Sequence, residues 1–326
     1  MIRRDHVPPL AILRARKRMN DAIRAFFDAR GFLEVETPIA VPSPGLEPHL
    51  FAFETAEHGP DGARTPLYLH TSPEYAMKRM LGRGVGSIYQ LARVFRDGER
   101  SATHTPEFTM LEWYRQPGTL DAIMDDTAAL LDAIAAAVDG PWRPARAERV
   151  SMSEAFERVG LPDPIGIEDV DALRAALGVR RVADDGWDDV FHRAFFERVE
   201  PSFSPDVVTL LHGYPARMAA LARLDPRDPR RAERFEVYVG PRELGNAFGE
   251  LTDPLEQRRR LVADQAERAR LGRPFYPIDE GFLADLGAIG EAAGIAIGVD
   301  RVLMCCLGAE RIQDLLCFAP RGDDDV

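Results

Sequence analysis

Residues 294–304 read GIAIGVDRVLM. Gly294, Ala296 and Gly298 occupy every second position, with Ile295, Ile297 and Val299 between them. Successive side chains of a strand point to opposite faces, so the stretch predicts a strand with one branched face for a core and one nearly bare face. Something must approach that bare face closely. Asp300 and Arg301 come next, and RVLMCCL ends at Gly308 as a short helix would. Arg301 then stands in the first turn of that helix, where its charge opposes the dipole and an anionic ligand would offset it. A solvent-facing arginine fits the same pattern.

The 326 residues suffice for one large domain or two ordinary ones, and 45% hydrophobic content is that of a globular protein. No run of roughly 18 apolar residues occurs, and MIRRDHVPPL lacks the apolar stretch of a signal peptide. A soluble, cytoplasmic protein with no membrane partner is expected. Cys305, Cys306 and Cys317 lie in apolar sequence without metal-ligand spacing and are expected as buried thiols. With 53 acidic and 41 basic residues the formal net charge is −12, which argues against gripping a long nucleic acid and suits a basic protein partner.

Working towards the N-terminus, RFEVYVGPRELGNAFGEL places Glu236 and Tyr238 on one strand face, with Gly240-Pro241 as a turn signal. In a tight hairpin Tyr238 lies opposite Glu243, and Glu236 lies diagonally across from Glu243 on the same face. A divalent cation between the two carboxylates would hold both ionised and carry phosphate oxygens; a solvated charged face is the alternative. Asn246 and Glu250 reach that face only if a bulge, which Gly245 can supply, breaks the alternation.

A second strand pair brackets the loop DGERSATHTP. Arg96 ends the first strand, and Phe108, Met110, Glu112 and Tyr114 share a face of the second by parity. Arginine offers bidentate bonding to phosphate, an exposed Phe a platform for a base, and a carboxylate beside a phenol a seat for an ammonium. The other reading is a surface hairpin with an Arg–Glu pair. Before it, SPEYAMKRML reads as a helix with Ser72 as cap and Pro73 at its first position. Ile12, Met19, Ile23, Phe26 and Phe27 recur at helical spacing between Pro9 and Arg30, with Gly31 placed as a stop. Residues 119–138 and much of 151–200 read as helical.

These stretches, in order, resemble the three signature motifs of the class II aminoacyl-tRNA synthetases. GFLEVETP (31–38) resembles the dimer-forming first motif, VFRDGERSATHTPEFTMLEWYR (94–115) the second, and GIAIGVDR the third. TSPEYAMKRML, HTPEFTMLEWY and RFEVYVGPRELGNAFGELTD match the lysyl branch best. The resemblance implies an α+β fold, a mostly antiparallel sheet flanked by helices, in one catalytic domain over 1–326 with a helical insertion at about 119–205. The lysyl enzymes carry an anticodon-reading β-barrel ahead of the first motif. Here the helix begins near Pro9, which leaves no room for one. The chain therefore resembles the stand-alone relatives, the elongation factor P β-lysine ligases. Their members activate (R)-β-lysine with ATP and transfer it to a lysine of elongation factor P, with no tRNA.

The resemblance also implies roles. Arg96 bridges the α-phosphate and the substrate carboxylate, and Phe108 and Arg301 sandwich adenine, so Arg96 and Arg301 are the catalytic pair. Asp97, Gly98, Glu99, His104, Thr105, Leu244 and Gly298 complete the ATP site, and Glu236 and Glu243 match the magnesium-binding acids. Ser72, Pro73, Glu74, Glu112, Tyr114, Asn246, Phe248, Glu250 and Ala296 match the amino-acid pocket. A homodimer is implied by the first motif. Two departures stand out. The glutamate that receives the adenine amino group in lysyl-type motifs is replaced by Gly98, leaving Glu99 to serve through a shifted loop. Ala102-Thr103 and Thr105 stand where an arginine and an asparagine are usual. An amino-acid–AMP ligase with another amino acid or acceptor, and a silent amino-acid-binding paralogue, are the competing readings.

Overall fold

The computed structural model describes residues 7–318, which fall into two compact units, 7–142 with 251–318 and 143–250. The first segment holds α1 (Leu10–Asp28), β1 (Leu33–Glu34), β2 (Ala40–Val41), β3 (Glu54–His58), β4 (Arg64–Leu69), α2 (Glu74–Gly82), β5 (Ile88–Phe95), β6 (Glu107–Arg115) and α3 (Leu120–Val138). The second unit holds β7 (Arg146–Ser151), α4 (Met152–Arg158), α5 (Val170–Leu177), α6 (Trp187–Ala194), β8 (Val207–Pro215), β9 (Leu224–Asp225), β10 (Asp228–Val239) and β11 (Arg242–Gly249). The chain then returns to the first unit as α7 (Pro254–Arg270), α8 (Glu280–Leu286), β12 (Ala293–Gly298) and α9 (Val299–Leu307).

In the first unit the strands run β1-β5-β6-β12, antiparallel except for the β1–β5 pair. The alternation read from GIAIG holds: Ile295, Ile297 and Val299 are each 2% exposed. Their side of the sheet meets α1, whose Ala15, Met19, Ile23, Phe26 and Phe27 are buried at helical spacing. Phe27 stacks on Tyr89 of β5 at 4.6 Å and tilts against Trp113 of β6 at 5.3 Å. Each such ring contributes about 1.5–3 kcal/mol of burial, so this layer fixes the sheet's back and frees its front for chemistry. Gly31, at φ +73°, turns the chain out of the helix as expected. A small antiparallel sheet, β2-β4-β3, belongs to the same unit.

In the second unit the order is β11-β10-β8-β7, antiparallel except for β7–β8, with β9 pairing beside β10. Phe156, Trp187, Phe191 and Phe195 from the helical stretch pack on Leu211, Tyr214 and Tyr238 of β8 and β10. The block expected as helical over 119–205 is interrupted by β7, whose RAERVS segment pairs in parallel with β8. Ser151 ends that strand and begins α4 through a capping box with Glu154.

The cysteine expectation needs one correction. Cys305 and Cys306 are buried on α9, but Cys317 is exposed, because the chain has passed the last 3-10 turn (Ile312–Leu315) by then and no longer faces the core. Among the described residues no helix is long and apolar enough to cross a membrane.

Candidate active site

On the front of the first unit's sheet, Gln90, Glu112 and Ala296 are register partners on β5, β6 and β12. Gly294 sits beside Tyr114, and Gly298 beside Met110. The bare face of β12 therefore adjoins the carboxylate that the sequence assigns to ammonium binding. Glu112 is 1% exposed. Its Oε1 accepts from the Ser72 hydroxyl and its Oε2 accepts from the Tyr114 hydroxyl at 3.0 Å. Burial, reinforced by nearby Glu74, pushes the Glu112 carboxyl up to about 8 despite these donors. Its hydrogen-bond donors are both uncharged, and the charge of Lys78, which pairs with Glu74, offsets its burial only in part.

Ser72 is in place because its Oγ also accepts from the Glu74 amide at 3.0 Å, although the helix begins one residue later than Ser-Pro predicts, with Pro73 at the N-cap position. Glu74, one residue into α2, accepts from Lys78 at 2.6 Å. Ser72, Pro73 and Glu74 also line a cavity of about 300 Å³ together with Glu47, whose buried carboxyl is raised by desolvation and then by Glu74.

The nucleotide-type residues gather around the long loop between β5 and β6. Arg96 lies 5.3 Å from the centroid of the Phe108 ring, donates to the Thr71 carbonyl at 3.4 Å, and pairs with Glu99 at 3.7 Å. Asp97 is exposed, and its amide donates to the Phe51 carbonyl at 2.8 Å. Gly98 has φ +80°, a conformation a glutamate would adopt only with strain, so the chain turns where the usual acid would stand. Thr105 is buried. Arg301, in the first turn of α9, donates to the Thr103 carbonyl at 3.3 Å and to the His104 ring. Burial first, then Arg301, lowers the His104 pKa, so the ring is neutral at pH 7 and can accept from the guanidinium.

In the second unit the tight hairpin is present. Gly240 (φ +55°) and Pro241 form its two-residue turn, Val239 pairs with Arg242, and Tyr238 pairs with Glu243. Leu244 is then left over, since Val237 pairs with Gly245 and Glu236 with Asn246. This is the bulge the sequence required, at Leu244 rather than at Gly245, and it puts Asn246, and by parity Phe248 and Glu250, on the face of Glu236 and Glu243. Leu244 itself is buried, as is Glu250, which bridges to Ala222. Glu236 accepts from Tyr214 and Tyr238 at 2.6 Å each and from Arg234 at 2.6 Å. Arg234 also donates to Asn246 Oδ1 at 3.1 Å and to the Met218 carbonyl at 2.6 Å.

Several supporting residues were not picked from the sequence. Lys78 had a signal, since Glu74 and Lys78 stand four apart on one helix. Arg234 shared the face of Glu236 by parity and could have been read with it. Tyr214 and Glu47 gave none, because long-range packing brings them in.

The sheet orders, the small-residue strand before α9 and the Arg96–Phe108–Arg301 residues define a class II synthetase-type domain. Residues 3–321 match the tRNA synthetases class II (D, K and N), and the chain belongs to that family. Within it, the chain is 41% identical over 316 residues to the elongation factor P–(R)-β-lysine ligase of Klebsiella pneumoniae subsp. pneumoniae, covering 95% of each chain. It is 42% identical over 302 residues to the ligase of that name from Proteus mirabilis, covering 91% of each, and 41% identical over 302 residues to that of Erwinia tasmaniensis, with the same coverage. The chain is thus a member of the family of these ligases.

Proposed function

We propose that this chain is an ATP-dependent, AMP-forming ligase that activates (R)-β-lysine as an aminoacyl adenylate and transfers it to a lysine side chain of translation elongation factor P, without tRNA, as a cytoplasmic homodimer. The observation that carries the reading is the Glu112 pocket. A buried carboxylate with uncharged donors and a raised pKa lies beside the small-residue strand, and a substrate ammonium supplies the missing charge.

In this reading Phe108 and Arg301 hold adenine between them, and Arg96 neutralises charge as a substrate carboxylate oxygen attacks the α-phosphorus and pyrophosphate leaves. The acceptor amine then attacks the acyl carbon and AMP departs. Glu74 and Glu112 bind ammonium groups of the substrate with Tyr114 beside them, and the family resemblance assigns amino-acid binding to Asn246, Phe248 and Glu250 of the second unit as well. Glu243 would hold magnesium, whereas Glu236, expected from the sequence to share that role, does not fit it, because its Oε1 accepts from Arg234 and its Oε2 from Tyr214 and Tyr238. A hard carboxylate oxygen suits that ion, which ordinarily takes one or two protein carboxylates and fills its remaining positions with water and phosphate oxygens. When bound, the ion neutralises the departing phosphates.

The exposure of Leu33 (55%) in the first motif, of Ile39 (45%) just after it and of Leu10 (60%) on α1 supports a second copy covering these residues. ATP–pyrophosphate exchange with a panel of amino acids, followed by transfer to elongation factor P, tests the whole. Magnesium-dependent exchange preferring (R)-β-lysine is expected. No exchange, or robust charging of bulk tRNA, overturns it.

A further inference from the structure

Part of the loop between β5 and β6 stands over a hollow. Arg100, Thr105 and Pro106 border a cavity of about 470 Å³, shared with Leu315 and Leu316 from the far end of the chain. A loop over a hollow needs hydrogen bonds to hold one shape. The short bridge between Ser101 and His104 supplies two weak ones, at 3.3 and 3.4 Å.

The stronger bonds come from the turn after α9. The Ile312 amide donates to the Ala102 carbonyl at 2.8 Å. The Gln313 side-chain amide, on a residue 7% exposed, donates to the Ser101 carbonyl at 2.8 Å and reaches the His104 carbonyl at 3.4 Å. One NH₂ group thus spans both ends of the bridge. The turn is itself tied down, because Arg16 of α1 donates to the Leu315 carbonyl at 3.3 Å while pairing with Asp300 at 2.6 Å, next to Arg301.

We infer that Gln313 is a positioning residue for nucleotide binding: its amide clasps residues 101–104, setting His104 against Arg301 and the loop against ATP. This rests on the ATP role proposed for the loop. It also gives a physical place to the departures at Ala102, Thr103 and Thr105. Where the loop lacks longer side chains, a side chain from outside holds its backbone.

Three variants test the inference. Gln313→Met keeps the volume and removes the donor, Gln313→Lys keeps a donor, and Gln313→Glu sets an acceptor against two carbonyls. With exchange as the assay and thermal melting as the check on folding, Gln313→Met is expected to raise KM for ATP by about three- to tenfold, the effect of one lost hydrogen bond. KM for the amino acid should hold. Gln313→Lys should recover most of the loss and Gln313→Glu should exceed it. Direct ATP titration of the same proteins should follow the same order. An unchanged ATP KM in Gln313→Met, or an equal rise in both KM values, overturns the inference while wild-type exchange stands. Absence of exchange in the wild type would instead overturn the functional reading beneath it.

Discussion

The hairpins β5–β6 and β10–β11 each carry carboxylates proposed to have functional roles, and they hold them in opposite ways. In the first, eight residue pairs run without a shift, and Glu112 is held by two neutral hydroxyls. In the second, the register slips by one at Leu244, and Glu236 is held by two hydroxyls and an arginine. An acid whose cation is built in is already satisfied. One that has only neutral donors is poised for a cation from outside. The contrast separates a carboxylate proposed to take a substrate amine from one that orders its own surroundings.

The second hairpin gives the largest expected effect. Glu243→Ala should abolish adenylate formation, a loss of at least about 10²–10³-fold, because it removes a carboxylate proposed to hold the metal. Glu250→Ala, six residues beyond the bulge-shifted Leu244, should act mainly on KM for the amino acid. Exchange kinetics at saturating ATP separate the two. Equal, small losses in both would show that neither carboxylate holds metal or substrate.

Ala296→Gly comes next. Ala296 is the register partner of Glu112, so its methyl stands on the same face as the carboxylate proposed to bind the substrate amine. It would crowd an amino group on the α-carbon, whereas a β-amine, one carbon further along, avoids it. A methyl group is worth about 1–3 kcal/mol of discrimination, roughly 10–200-fold, so Ala296→Gly should raise activity with α-lysine relative to (R)-β-lysine within that range. The two adenylation rates in wild type and variant provide the measurement. An unchanged ratio would show that the pocket chooses its substrate elsewhere.

These residues also show which parts of the molecule could be read from its sequence. Faces of unbroken strands were legible, because parity alone fixes which side chains share a surface: Phe108, Glu112 and Tyr114 on β6, and Gly294, Ala296 and Gly298 on β12. The hairpin turn was legible from Gly240-Pro241. The bulge was legible only as a requirement, since the three-residue step from Glu243 to Asn246 fits one face no other way. Beyond that, the signal faded where tertiary contacts decide. Strand β7 hides within a helical block, and nothing local in the last turn marks Gln313 as a partner of Ser101, 212 residues away.

The Glu112 pocket predicts a pH dependence. With its carboxyl raised to about 8, Glu112 is mostly protonated at pH 7, and an ammonium must displace that proton. Affinity for the diamino acid should therefore improve as pH rises from about 6.5 to 8, by up to tenfold per unit. The sign for stability is opposite. The folded pKa lies above that of the unfolded chain, so the folded state binds the extra proton, and its contribution is lost as pH rises through about 8. The unliganded wild type should lose melting temperature relative to Glu112→Gln between pH 6 and 8.5. Parallel curves would mean that Glu112 is ionised in the free protein.

The smallest expected effect tests the one place where the first hairpin departs from its family. Gly98 turns the loop with φ +80°, and Glu99 follows it, paired to Arg96 at 3.7 Å. Two roles are open to this acid, and they predict different kinetics. If it receives the adenine amino group, Glu99→Gln keeps the size and one acceptor oxygen but loses the charge that strengthens the bond, so KM for ATP should rise several-fold with kcat little changed. If it only restrains Arg96, the pair is partly exposed and worth little in the ground state, and the change should appear in kcat through a less ordered arginine. Exchange measured against ATP at saturating amino acid separates these outcomes. A several-fold rise confined to KM would place adenine recognition one residue beyond its usual position, on an acid carried there by the turn at Gly98.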